Sequence, residues 1–277
     1  TDGGGDAAPV DAQPDATDAG PSCTVMQWAP DDGELSRWPE PDLLTSDPDT
    51  GTGYRIEFDE SKYPAVVEAA AGFGGVITED LPTLDGFGVN AQAFFMFGRA
   101  FDVSMLPSGD ATADPGAGLG IAVLEPGEPR IVPVLVRTVD EDATIMMAPM
   151  RPLPERGRAV AFVTRALTDA AGGCLEPSAD FADRLSSAEG DLGDAVAALT
   201  DLGVIESSGD LVAAGAFPTQ TITDDSVAIA EDIAGRDFAL DGDATCTDGT
   251  TWIRCDATFT ANDYRGDDGT IRRNPGD

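Results

Sequence analysis

The pattern that dominates the chain is a series of short apolar runs with the spacing of strands. Tyr54 to Phe58 alternates as Tyr-Arg-Ile-Glu-Phe, the two-residue period of a half-buried strand. From Ala91 the runs come in quick succession: Ala93 to Phe97 is aromatic, Gly120 to Leu124 apolar, and Arg130 to Arg137 carries Ile131, Val132, Val134, Leu135 and Val136. Pro107-Ser108-Gly109 and Pro126-Gly127-Glu128 separate these runs with turn chemistry. Ala143 to Ala148 and Arg158 to Thr164 predict two more strands on either side of Pro149 to Gly157. The Phe94, Phe95, Phe97 group and the Met146, Met147, Met150 group read as core filling.

Helical spacing is confined to a few segments. Phe181 to Leu202 places Leu185, Leu192, Val196, Leu199 and Leu202 on one face and predicts one helix, weakened by Gly190 and Gly193. Short helices are expected within Pro64 to Gly86 and over Asp225 to Ile233. Trp28 to Asp49 reads as irregular, Gly215 to Thr219 as extended, and Thr251 to Thr260 as a closing strand. The predicted fold is mainly β: an antiparallel β-sandwich with a helical insertion near 181–204 and an irregular N-terminal tail. Residues 1–24 are expected to form a disordered tether, 25–222 the sandwich, and 223–277 a C-terminal extension with a disulfide-closed hairpin.

Composition supports this picture: 277 residues with 42% hydrophobic content can bury a core, and 32 Gly with 20 Pro suit many short elements joined by turns. Thr1 to Ser22 is almost all Asp, Ala, Gly and Pro, with too few apolar side chains to offset ordering entropy. Beginning without Met, such a tether points to a mature form left after removal of a signal peptide or of a lipid-anchoring segment upstream of residue 1. A trimmed chain is an equal alternative. No run approaches the roughly 20 apolar residues of a membrane-crossing helix, so no transmembrane segment is expected.

Charge narrows the partners: 51 acidic against 16 basic residues give a formal net charge of −35, which repels phosphate backbones and argues against nucleic acid. Four cysteines form an even set, as expected for an oxidising compartment, and three pairings are open to them. A turn at Thr247-Asp248-Gly249-Thr250 would bring Cys246 next to Cys255, leaving Cys23 for Cys174. Four free thiols are the alternative.

Chemistry is limited by what is missing. The chain has no histidine, no G-x-S-x-G elbow and one lysine, Lys62, so neither a Ser-His-Asp nor a Ser-x-x-Lys site can be assembled from it. Paired carboxylates are too numerous to signal anything. Calcium is the inorganic ligand best suited to Gly/Asp loops, and Asp47, Asp49, Asp241 and Asp243 are its candidate residues, with Asp263, Asp267 and Asp268 behind them. Plain Asx turns account for the same loops. Arg265-Gly266-Asp267 spells an adhesion tripeptide that occurs often by chance.

The order of motifs resembles the N-terminal domain of secreted bacterial lipases and esterases, the bacterial virulence factor lipase N-terminal family. The residues that carry it are Asp85-Gly86-Phe87, Phe94 to Phe101, Ala148-Pro149-Met150-Arg151-Pro152-Leu153-Pro154, Thr168-Asp169 with Gly172, and Ala216-Phe217-Pro218-Thr219-Gln220. Pro149 to Phe181 also resembles a bacterial Ig-like stretch, which makes the expected sandwich Ig-like. The resemblance spans about Trp38 to Tyr264 and carries no catalytic residue. It implies a non-catalytic accessory domain, secreted or on the cell-envelope surface, that positions an α/β-hydrolase domain or a cell-envelope component. The alternative is a stand-alone calcium- or glycan-binding surface module, for which Trp28, Trp38 and Trp252 are the candidate aromatics.

Overall fold

The structure, a computed structural model, describes residues 22–30, 33–73, 75–125, 128–236 and 239–265. The expected tether therefore lies outside the described residues up to position 21. Its last residues are ordered: β1 (Thr24–Val25) pairs in parallel with a strand at Leu175–Glu176, beside the Cys23–Cys174 disulfide. The chain divides after Gln220 into two compact units.

In the first unit the elements after β1 are β2 (Arg37–Trp38), β3 (Leu44–Ser46), β4 (Tyr54–Ile56), α1 (Pro64–Ala70), β5 (Ala93–Met96), β6 (Leu119–Val123) and β7 (Arg130–Val132). Then follow β8 (Val134–Val139), β9 (Thr144–Pro149), β10 (Arg158–Thr164), β11 (Leu175–Glu176), α2 (Ala179–Ser186), α3 (Gly190–Asp201) and β12 (Leu211–Pro218). Two four-stranded antiparallel sheets form the body, ordered β12-β10-β6-β7 and β2-β5-β9-β8, so the molecule is sheet-rich as the apolar runs predict.

Three expectations fail in this unit, each for a local reason. Arg130 to Arg137 is two strands in two different sheets, because Pro133 has no N–H for a ladder and the chain changes sheet there. Val134 instead receives Thr112, whose hydroxyl accepts from the Val134 N–H at 2.8 Å. The single helix at 181–202 is α2 and α3, separated by a break that ends at Gly190 with φ of +55°, a left-handed conformation that glycine adopts without penalty. The Trp28 to Asp49 segment contains β2, a 3₁₀ turn at Pro41–Leu43 and β3, stabilised by side-chain bonds that no periodicity shows.

The two sheets differ in burial. Every residue of β6 and β12 is buried, and so is all of β10 after Arg158, which means both faces of that sheet are covered. α2 and α3 bring Phe181, Leu185, Ala195 and Leu199 into the same core, with α3 against β12. β5 instead alternates: Ala93 and Phe95 are buried, whereas Phe94 and Met96 are half-buried. One face of that sheet joins the common core and the other remains partly open.

A buried ion pair links these parts. Arg37, on β2, donates from Nε and Nη2 to the two Glu40 carboxylate oxygens at 2.9 and 2.7 Å, and from Nη1 to the Ala214 carbonyl in β12 at 3.1 Å. Trp28 Nε1 and the Asp42 N–H complete the Glu40 carboxylate at 2.9 and 3.1 Å. The guanidinium stacks on the Trp28 ring at 4.0 Å, and the Arg184 guanidinium of α2 lies 4.5 Å from that ring. All four bonds to Glu40 reach a charge shielded from water, so removing it leaves Arg37 uncompensated.

In the second unit α4 (Asp224–Ala234) precedes a hairpin of β13 (Thr245–Asp248) and β14 (Ile253–Asp256). Cys246 and Cys255 are directly opposite in its register and form the second disulfide. The predicted strand at Thr251 to Thr260 is reduced to those four residues. All residues of β13 and β14 are exposed.

Three stability expectations rest on this architecture. Glu40→Ala is expected to lower unfolding free energy by about 3–5 kcal/mol, the cost of orphaning a buried partner, measured by urea denaturation. Cys23→Ser with Cys174→Ser, which opens a loop with a sequence separation of 151, is expected to cost about 4–5 kcal/mol. The same double change at Cys246 and Cys255, separated by 9, should cost about 2.5 kcal/mol, read on the hairpin by near-ultraviolet circular dichroism.

Candidate functional site

Among the described residues of the first unit, two clefts bear on function. The first is an apolar groove of about 380 Å³ on the open face of the β2-β5-β9-β8 sheet. Its floor is set by strand register: Trp38 pairs with Phe94, and Phe94 with Met146. Directly opposed residues share a face, so these three side chains form one row across three strands. Phe58, Val66 of α1 and Leu81 of a 3₁₀ turn roof it, while Gln92 adds a polar group at the rim. The Gln92 side-chain oxygen accepts from Arg137 Nη2 at 2.8 Å.

The second cleft, about 520 Å³, is polar and bordered by Asp42, Thr45, Glu57, Asp59, Glu60 and Ser61. Three of its acids, Asp42, Glu57 and Asp59, are already bonded. Asp59 accepts from the Ser61 hydroxyl and the Ser61 N–H, which hold its carboxyl below the ordinary range, and Glu57 accepts from the Thr45 hydroxyl. Asp42 receives Arg184 bidentately at 2.7 and 3.1 Å. Burial alone would raise the Asp42 pKa, but the Arg184 hydrogen bonds and charge, with smaller contributions from Arg37 and Lys62, outweigh it and lower it.

The residues singled out for calcium lie in two separate units. Asp47 and Asp49 occupy the β3–β4 hairpin loop, where Asp47 accepts from Arg55 Nε at 2.7 Å and from the Asp49 N–H at 3.1 Å, an Asx turn closed by an arginine. Those bonds hold the Asp47 carboxyl below its ordinary pKa. Asp241 accepts from the Thr260 hydroxyl at 3.1 Å in the second unit, with Asp243 exposed nearby in sequence. Among the described residues no three His, Cys, Asp or Glu side chains converge on a point. Asp267 and Asp268, and with them the Arg265-Gly266-Asp267 tripeptide, lie outside the described residues.

Of the tryptophans, Trp28 is buried in the Arg37 cluster, Trp38 floors the groove, and Trp252 is 56% exposed on the hairpin. The aromatic and methionine groups read as core divide by strand face. Phe95, Phe97 and Met147 are buried, Phe94 and Met146 line the groove, and Met150 is 48% exposed. The signal for this is in the sequence: Ala93-Phe94-Phe95-Met96 and Ile145-Met146-Met147-Ala148 are apolar at both strand parities, as needed when each face of a strand has its own apolar partner.

Three of the segments named for the resemblance, at Gly86-Phe87, Pro154 and Pro218 to Gln220, meet at one junction. The Phe87 N–H donates to the Pro218 carbonyl at 2.9 Å and the Gln220 N–H to the Phe87 carbonyl at 2.8 Å. A Cβ at Gly86 would lie 2.9 Å from the Gln220 nitrogen and the Pro218 oxygen, so the motif needs glycine there. The Thr219 hydroxyl accepts from the Gly157 N–H at 2.8 Å and donates to the Pro154 carbonyl, bringing in the proline-rich run.

No protein-family model and no curated protein matches the chain. One similar solved structure is the N-terminal part of the bacterial S-layer protein SbsC, 13% identical over 43% of this chain and 32% of that chain, with a TM-score of 0.22. That likeness is too slight to carry an argument. No helix among the described residues is long and apolar enough to cross a membrane.

The Asp42–Arg184 pair yields a pH prediction. A carboxyl whose folded pKa is depressed stabilises the fold above its unfolded pKa of about 3.9, and this stabilisation is lost as pH falls through the lower folded value. Arg184→Gln is expected to reduce stability at pH 7 by at most about 1 kcal/mol, since both side chains are partly exposed, and to flatten the pH dependence below about pH 4. Melting temperatures measured from pH 2 to pH 7 check this.

Proposed function

We propose that the chain is a non-catalytic accessory domain of a secreted or cell-surface protein resembling bacterial lipases and esterases, built as an Ig-like sandwich of its two four-stranded sheets. The observation that carries this reading is the complete lack of histidine and of a nucleophile elbow, in a chain where three of the resembling segments interlock around Gly86 and Thr219. Two disulfides, one fastening the first strand, fit an oxidising compartment and a body exposed to proteases. The domain would hold a linked α/β-hydrolase domain or a cell-envelope component at a set position, which takes rigidity and no reactive side chain.

A second reading, a glycan- or calcium-binding surface module, is favoured by one observation. Trp252 is 56% exposed on a disulfide-closed hairpin with Asp248 and Asp256 at its strand ends. An amphipathic ring held rigidly in water is the usual form of a carbohydrate platform.

The deciding measurement is hydrolysis of short and long acyl esters by the purified chain, with and without calcium, together with thermal melting. We expect no turnover and no calcium-dependent shift in melting temperature. Turnover would refute the accessory role, and a calcium-dependent rise in melting temperature would transfer support to the second reading.

A further inference from the structure

We infer that the groove on the open face of the β2-β5-β9-β8 sheet binds a medium-chain alkyl carboxylate, with Arg137 holding the carboxylate and the tail lying over Met146, Phe94 and Trp38. This inference stands apart from the accessory-domain reading, since it needs neither a hydrolase partner nor the resemblance.

The register places the four residues in one line. Trp38 pairs with Phe94, Phe94 with Met146, and Met146 with Arg137, so the row crosses the whole sheet from β2 to β8. Three strand spacings of ~4.8 Å make it about 14 Å long, the reach of an extended alkyl chain of medium length. The tail portion is apolar and covered by Phe58, Val66 and Leu81, and its volume of about 380 Å³ is at the small end of ligand pockets. The apolar stretch meets a polar group only at the Arg137 end.

Arg137 is free to take an anion. It is exposed, its hydrogen bond goes to the neutral Gln92 side chain, and among the described residues no carboxylate pairs with it. That is unusual in this chain, where 51 acidic residues outnumber 16 basic ones and Arg37, Arg55, Arg130, Arg158 and Arg184 each have an acidic partner. In a chain of net charge −35, a guanidinium bonded to a neutral side chain at the rim of an apolar groove sets the orientation of an incoming carboxylate. The rest of the groove reinforces it: its lining residues include no cation, and Phe58 borders both the groove and the acidic cleft of Glu57, Asp59 and Glu60.

The test is calorimetric titration of the whole chain with decanoate below its micellar concentration, alongside decanol, decyltrimethylammonium and acetate. Decanoate should bind saturably at one site per chain, decanol about tenfold more weakly for want of the charge-assisted bonds, and acetate and the ammonium not measurably. Arg137→Gln, an exposed change that leaves the core untouched, should weaken decanoate about tenfold and leave decanol unchanged. Phe94→Ala, with its fold verified by melting, should weaken both. No saturable heat with decanoate would overturn the inference, as would affinity unchanged in Arg137→Gln or tighter binding of the ammonium. Dimerisation abolished by Phe94→Ala without decanoate binding would assign the groove to a second copy of the chain and overturn it equally.

Discussion

The first unit depends on a buried charge that cannot be left without its partners. Arg37 and Glu40 are both about 2% exposed, and a lone ion at that depth would cost several kcal/mol. Each of their bonds therefore dictates a placement. The Ala214 carbonyl ties β2 to β12 across the two sheets, the Asp42 N–H starts the 3₁₀ turn, and Trp28 pins the N-terminal segment over the guanidinium. Trp28 in turn meets Phe181 edge-on at 6.2 Å, which places α2. A segment without hydrophobic periodicity thus organises the elements around it.

The difference between the sheets follows from what covers them. β6, β10 and β12 are continuous apolar runs, and helices α2 and α3 complete their second face. The β2-β5-β9-β8 sheet receives only short helical turns on its open face, and these leave a groove between Trp38, Phe94, Met146 and the Val66 and Leu81 side chains.

The acidity of the chain is handled locally. Asp47, Asp59, Asp102 and Asp42 are each lowered by nearby hydrogen bonds or an arginine, so these carboxylates close turns and fasten elements while remaining charged. Several of the scarce arginines are used in such contacts, whereas Arg137 bonds to the neutral Gln92 side chain.

The sequence by itself determined where the longer strands form and that sheets dominate, because these depend on local periodicity. β10 matches its apolar run at Arg158 to Thr164 residue for residue, and the strands over Ala93–Met96 and Thr144–Pro149 fall within a residue or two of theirs. Only the tertiary structure decided which strands pair, that Pro133 sends one apolar run into two sheets, and that Gly190 divides one helical pattern. It alone separated Phe94 and Met146 from Phe95 and Met147, since alternate residues of equal hydrophobicity go to opposite faces and the faces differ only in what packs on them. The groove was legible in part, as doubly apolar strands. Its row from Trp38 to Arg137 was not, because register is a relation between strands 99 residues apart in sequence that no local pattern encodes.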